Sequence, residues 1–375
     1  MTQRRAAFAL VAALVAAMSL LGACSSDKPK PTPLQKFEPR IKADEVWHKA
    51  IDNIDYPMVA AAVDGTFFVG AGSGELLALR ASDGAELWRT KVPGGIAAGV
   101  GSDGRYVSVA TRANEVVVYA KGKELWRKSI PAAVVTPPLV AGERVFVMGV
   151  DRAVYAFDAQ DGRRLWSFVR PGEALTLAQS GVVAAFHNTL LVGQAQRLAG
   201  LEPLHGQLLW EVPVATPRGT NEVERLADLV GPVVRLGDKV CVRSFQVAVG
   251  CVDASAGKLL WSHNVGGIEA VAGNADVIVG GDASDRITAW HTANGNVAWT
   301  SDKLLYRGLS GAQMLGSSVV FGDYEGYLHF LSAANGELQL RLSTNGKPVV
   351  GTPIVEAGTM LVATRNGGLY AFRLH

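Results

Sequence analysis

Tryptophan recurs along this chain with a period near forty residues. It stands at Trp47, Trp88, Trp126, Trp166, Trp210, Trp261 and Trp299, and the next place in the register is Leu340, in NGELQLRL. Successive spacings run from 38 to 51 residues, and Trp290 is the one Trp outside the register. Most anchors close a common phrase: ASDGAELW at 81–88, AQDGRRLW at 159–166, SAGKLLW at 255–261. A period of this length with strand-like content means a propeller or a solenoid, since one such unit cannot bury both its faces alone.

Residues 104–129, GRYVSVATRANEVVVYAKGKELWRKS, show what one unit contains. RYVSVAT, EVVVYA and ELWRKS read as three strands separated by polar turns, and the small apolar GIAAGVG before them suits a strand near a central axis. Four short antiparallel strands make a propeller blade. The Asp-Gly and Asn-Gly pairs supply positive φ for the hairpin between the third and fourth strands. The Trp of the outer strand is expected to fill the wedge between blades. The 42 glycines of the 375 residues fit many tight turns.

The ends of the chain complete the count. It finishes GGLYAFRLH, a third strand with no outer strand after it, and the repeats begin with DEVWHKAI, an outer strand with no third strand before it. Pairing the two removes a sheet edge. The expected fold is all-β: an eight-bladed β-propeller of four-stranded antiparallel blades, spanning 41–375 and closed by its N- and C-terminal strands.

Residues 1–23 read as a processing segment, with Arg4 and Arg5 followed by an apolar run from Ala6 to Leu21, short for a bilayer span. LGAC at 21–24 resembles the lipobox of bacterial lipoproteins, which implies cleavage before Cys24 and its acylation. Ser25 follows, with no Asp there to suggest inner-membrane retention, so the resemblance implies the periplasmic face of the outer membrane. Residues 24–40 then form a Pro-rich tether, expected to hold the ring up to about 50 Å from the lipid at roughly 3 Å per residue.

The two Arg of the leader account for the whole net charge of +2, leaving 34 basic against 34 acidic residues. With no basic run, the electrostatic footprint of a nucleic-acid binder is missing. Cys241 and Cys251 lie in two strand-like runs joined by a tight turn. An antiparallel hairpin brings them near each other in an oxidising periplasm, whereas a one-residue change of register puts them on opposite faces. Both outcomes stand open. No CxxC or close His pair suggests a metal, and no HExxH, GxSxG, phosphate-binding or EF-hand motif occurs.

The longest spacing, Trp210 to Trp261, contains PVATPRGTNEVERLADLVGP at 213–232, which reads as an extended loop. A loop inserted into a rigid ring is where binding tends to sit. The preceding PGEALTLAQSG at 171–181 places Leu175 and Leu177 close to a turn. They either pack into a blade or offer an apolar anchor flanked by Glu222, Glu224 and Asp228, suited to a protein partner.

The Trp-bearing repeat resembles that of pyrroloquinoline-quinone (PQQ) dehydrogenases, which implies, as one alternative, a periplasmic oxidoreductase with quinone and calcium over the channel. The adjacent Cys pair often found in that family is absent. Taken with the lipobox, tether, VVFGDYEGYLHFL (319–331) and NEVERLADLVGPVV (221–234), nearly the whole chain resembles the BamB family, lipoprotein propellers of the outer-membrane β-barrel assembly machinery. That resemblance implies a non-catalytic scaffold without cofactor or metal. It implies docking on a POTRA domain of the barrel-inserting subunit BamA, and contact with unfolded barrel clients. The family's Leu-x-Leu-Arg loop falls on Leu175, Leu177 and Ala178, and its Asp-x-Asp loop on Asp228 and Val230. The family's Arg and second Asp are thus missing, and Glu224 with Arg225 are the nearest charges in sequence to offset them.

Overall fold

The structure, a computed structural model, describes residues 29–170, 176–217, 220–221 and 225–375. Eight four-stranded antiparallel sheets follow one another along the chain. Blades 1 to 7 occupy residues 61–91, 96–129, 139–168, 183–213, 229–264, 272–301 and 313–343. Blade 8 combines 349–374 with Ala43–Ala50, which pairs as its outer strand with Gly368–Leu374. The innermost strand of each blade meets that of the next, and blade 8 meets blade 1, so the ring closes. Their small side chains surround a central channel of about 520 Å3.

The repeated phrase works between blades. Trp126 packs its ring on Gly162, in the outer hairpin turn of the next blade, where a Cβ would stand 2.6 Å from the indole. Gly162 also has φ +70°, a left-handed conformation that costs an L side chain roughly 1–2 kcal/mol. Trp47, Trp88, Trp166, Trp210, Trp261 and Trp299 sit in the same way on Gly84, Gly122, Gly206, Gly257, Gly295 and Gly336. Five indoles also donate Nε1–H to the carbonyl three residues ahead of that glycine: those of Ala81, Ala159, Pro203, Thr292 and Ala333, at 2.8–3.1 Å. Apolar burial of one such ring contributes about 4–6 kcal/mol before entropy, and the bond satisfies its one polar atom. The Asp and Asn of the turns cap backbone amides, as Asp83 does for Ala85 at 2.9 Å and Asn294 for Asn296 at 2.9 Å.

The same contact explains Leu340. The partner of blade 7 is blade 8, whose outer hairpin turn is replaced by the two chain ends, joined by His375 N–H to the Lys42 carbonyl at 3.0 Å. With no turn glycine to cover, Leu340 packs instead among Met360, Phe372, Ile41, Ala43 and Leu374.

Cys241 and Cys251 are direct partners in the hairpin register and are joined by a disulfide inside the sheet of blade 5.

The Pro-rich segment, expected as a semi-extended tether over 24–40, lies against the ring from Thr32 onward. Thr32 N–H donates to the Leu305 carbonyl at 2.9 Å, and Arg40 N–H to that of Gln339 at 2.8 Å, on the outer strand of blade 7. Leu34 and Phe37 pack against the cluster that holds Trp299, Leu304 and Leu338. Arg341 lies over the Phe37 ring at 5.2 Å and donates to the Gln35 carbonyl at 3.1 Å. The prolines favour an extended chain, and an extended chain can lie along a sheet edge and cover it.

Beneath this strap lies a buried lock. Asp323 accepts from Arg307 Nε at 2.8 Å, from His329 Nε2 at 2.9 Å, and from the Glu325 and Tyr327 amides at 2.9 Å each. Arg307 also reaches Glu325 and, at 3.3 Å, the Thr32 carbonyl. Burial alone would raise the Asp323 carboxyl, but the bonds from His329, Tyr327 and Arg307 outweigh it and hold the pKa below the ordinary value. Burial also holds the His329 imidazole below its ordinary value, against the pull of Asp323. Neutral His329 therefore donates through Nε2, leaving Nδ1 as an acceptor facing Arg341 Nε at 3.4 Å.

Two predictions follow from these contacts. Gly162→Ala meets both the Trp126 ring and a left-handed backbone, whereas Gly142→Ala, at φ +57° with open space around it, meets the backbone cost alone. Chemical denaturation is expected to find Gly162→Ala less stable than Gly142→Ala by at least about 1 kcal/mol, with the latter near the roughly 1–2 kcal/mol left-handed cost. Equal losses would remove the indole contact as the cause. Both Asp323 and His329 have folded pKa values below their unfolded ones, so the unfolded chain takes up more protons as pH falls. Their contribution is complete above about pH 6.5 and declines as pH drops through the acid range. Melting curves from pH 7 to pH 5 are expected to fall more steeply for the wild type than for His329→Gln, by about 1–2 °C over that window.

Candidate functional site

Among the described residues, the blade-to-blade connections and the turns between the second and third strands emerge on one face of the ring. At its centre they form a mouth of about 990 Å3, lined by residues including Tyr56, Ile268, Glu269, Leu309, Tyr324 and Arg365. Beside it, fully buried Arg243 donates to the Gly266 and Gly281 carbonyls at 3.1 and 2.8 Å, tying a connection to a turn. Burial draws the Arg243 pKa down to about 10, opposed by Glu269 and Asp282. Burial of the Glu269 carboxyl pushes its pKa up to about 7, opposed by Arg243. Among the described residues, no three His, Cys, Asp or Glu side chains converge as a metal site.

Of the residues singled out by the sequence, Leu177 and Asp228 come together on this face, between blades 3 and 5. Leu177 belongs to the connection from blade 3 to blade 4, and Asp228 to the long connection from blade 4 to blade 5. The Leu177 amide donates to Asp228 Oδ2 at 3.2 Å. Blade 5 holds Asp228 in place: Phe245 N–H donates to its carbonyl at 2.9 Å, and Ser244 Oγ–H to the preceding Ala227 carbonyl at 2.7 Å. The other connection is fixed by Gly181 N–H on Thr136 Oγ1 at 2.9 Å and by Gly231 N–H on the Ser180 carbonyl at 3.1 Å. Half-buried Leu177 lines a cleft of about 40 Å3 with Met148, Thr176, Leu229 and Val230, too small for a cofactor and sized for a single protruding group.

The charge partner of Asp228 comes from a third place in the chain. Arg152 Nη2 lies 3.0 Å from Asp228 Oδ1, and both side chains are largely buried, at 12% and 17% exposure. Arg152 ends the turn between the second and third strands of blade 3, at φ +61°. The matching position is Gly74, Asn114, Asp285, Gly326 and Gly367 in blades 1, 2, 6, 7 and 8. A long side chain in a left-handed position is uncommon. In the same turns of blades 4 and 5, Ala195 and Gln246 also stand at positive φ, so Arg152 is one of two long side chains held this way.

Ala178, at the family's Arg, is exposed and adds no charge, and Val230, at the second Asp, is buried in the inner strand of blade 5. Arg225 is half-buried in the same connection, its amide on the Asn221 carbonyl at 3.2 Å. Asp228 has Arg152 as a charge partner. Leu175, Glu222, Glu224 and the lipidation candidate Cys24 lie outside the described residues.

Comparison with known proteins bears on the whole ring. The family described as outer membrane protein assembly factor BamB matches residues 41–98 and 94–301. A protein of that name from Burkholderia pseudomallei is 34% identical over 98% of each chain. Among solved structures, BamB from Moraxella catarrhalis is similar with a TM-score of 0.81 and 19% identity, over 88% of this chain and 100% of that one. A quinohemoprotein alcohol dehydrogenase from Pseudomonas putida is similar with a TM-score of 0.69 and 13% identity, over 88% of this chain and 76% of that one, a likeness of fold.

The geometry predicts coupling between Arg152 and Asp228. In a double-mutant cycle with Arg152→Ala and Asp228→Ala, chemical denaturation is expected to give an interaction of about 1–2 kcal/mol, within the range of contacting pairs. Strict additivity would show that the two charges do not act together.

Proposed function

The chain belongs to the outer membrane protein assembly factor BamB family, and from that premise we propose that it is a non-catalytic scaffold in the assembly of outer-membrane β-barrel proteins. In this reading acylated Cys24 anchors it to the periplasmic face of the outer membrane. The ring docks a POTRA domain of a BamA-like barrel protein through the face that carries Leu177, and the assembly so held assists the insertion of unfolded barrel clients.

The observation that carries the docking surface is the convergence of Leu177, Asp228 and Arg152 from three separate turns and connections onto one cleft. An apolar contact flanked by a desolvated, fixed charge pair is the make-up of an interface hot spot. Arg152 supplies a guanidinium beside Leu177, the chemistry that Ala178 lacks. The quinohemoprotein likeness is one of fold at 13% identity and transfers no activity to this chain.

A pull-down of the tagged lipoprotein from its own membranes in mild detergent tests the reading. Recovery of a POTRA-bearing barrel protein is expected. Leu175→Lys with Leu177→Lys is expected to lower recovery at least about tenfold, as loss of a hot spot does, with the melting curve of the ring retained. Recovery unchanged by these substitutions would keep the function and reject the surface. Absence of any such partner after crosslinking would reject the scaffold.

A further inference from the structure

The strap and the cleft lie across the ring from each other. The innermost strands touch in chain order and close on themselves, so in a ring of eight blades, blade 3 stands opposite blade 7. Blade 7 carries the strap, through Thr32, Gln35, Phe37 and Arg40. Blade 3 carries Arg152, and the adjoining connections carry Leu177 and Asp228.

The strap is built into the fold. Its carbonyls at Thr32 and Gln35 are bound by Arg307 and Arg341, two guanidinium groups of blade 7 and its connection. Arg307 is itself held by buried Asp323, which a buried His329 also serves. Two apolar side chains, Leu34 and Phe37, seal the contact. From Thr32 back to Cys24 the chain has eight residues, which span at most about 28 Å. Residues 29–42 contain Lys30, Lys36 and Lys42 against one acid, Glu38, with Arg40 paired to Glu337, and the lysine excess suits anionic headgroups.

We propose that this strap makes the ring a directed spacer: it holds the outer edge of blade 7 towards the leaflet in which Cys24 is anchored, and turns the Leu177–Arg152–Asp228 cleft away from it. A free tether of sixteen residues would let the ring tumble and present any blade to the lipid. A short leader joined to a docked strap allows one side only. A partner bound in the cleft is then kept at a set distance from the bilayer by the width of the propeller. The inference rests on the proposed lipid anchor and adds an orientation to it.

Equivalent turn positions in the two blades give the test. Ala334 and Gln160 are exposed at the same place in the outer hairpin turns of blades 7 and 3. Their outer strands are separated by six strand spacings plus the channel, more than about 29 Å. A fluorescent amino acid is encoded at one or the other in the full lipidated protein. The protein is bound to phosphatidylethanolamine–phosphatidylglycerol vesicles carrying a headgroup-linked acceptor, and energy transfer is measured. Transfer from position 334 at least twice that from position 160 is expected. In Leu34→Ser with Phe37→Ser, checked for an unchanged melting curve, the difference is expected to vanish.

Vesicle flotation of the labelled protein separates the two ideas. Failure to float would overturn the anchor and the orientation together. Flotation with equal transfer from both positions would overturn the orientation alone, as would a difference that survives release of the strap.

Discussion

The seating of each indole on the turn glycine of the next blade is the contact on which the ring depends. A four-stranded sheet of this size has two apolar faces, and neither can be left in water. Sequence order settles which blade covers which face, and the Trp–Gly contact makes that cover specific. The glycine leaves room for the ring, in five of the seven contacts the carbonyl three residues ahead accepts its N–H, and in turns such as that of Gly162 an Asp or Asn between them caps the backbone. Seven repetitions propagate one geometry, and the closure at blade 8 needs none because the chain ends meet there.

A ring so uniform draws attention to the places where it is not. The turn position that most blades give to Gly, Asn or Asp is Arg152 in blade 3. The longest connection follows blade 4 and carries Asp228. These two departures meet in an ion pair beside Leu177. Holding a bulky residue in a left-handed conformation carries a cost, and such costs gather at functional positions. The rigid blades on either side supply the fixed backbone that makes the cluster a surface of defined shape.

Charge is handled differently on the opposite side. Asp323, His329 and Arg307 are removed from solvent and fully engaged with one another. Their joint product is a guanidinium aimed outward at the Thr32 carbonyl. The Pro-rich leader is therefore part of the folded ring from Thr32 onward, and the outer edge of blade 7 is covered by its own chain.

Much of this was legible in the sequence, because periodicity reports local physics. The Trp register, the Asp-Gly turns and the complementary half-blades at the two ends were sufficient for eight blades and their closure. Turn chemistry and strand pairing act over a few residues, and the repeat displays them eight times. The proline content of the tether describes its stiffness and says nothing of what a stiff chain lies against, so the contacts of Thr32, Leu34, Phe37 and Arg40 with blade 7 were not legible. Arg152 was overlooked for a related reason: it stands 76 positions from Asp228, and no local pattern measures that separation. Cys241 and Cys251 stood open until the register made them partners. The sequence by itself determined the repeat, its number and its ring, since each blade's needs are met by its neighbours in order. The tertiary structure alone decided which charges meet, where the leader lies and which side of the ring is which, because those contacts join residues that only closure brings together.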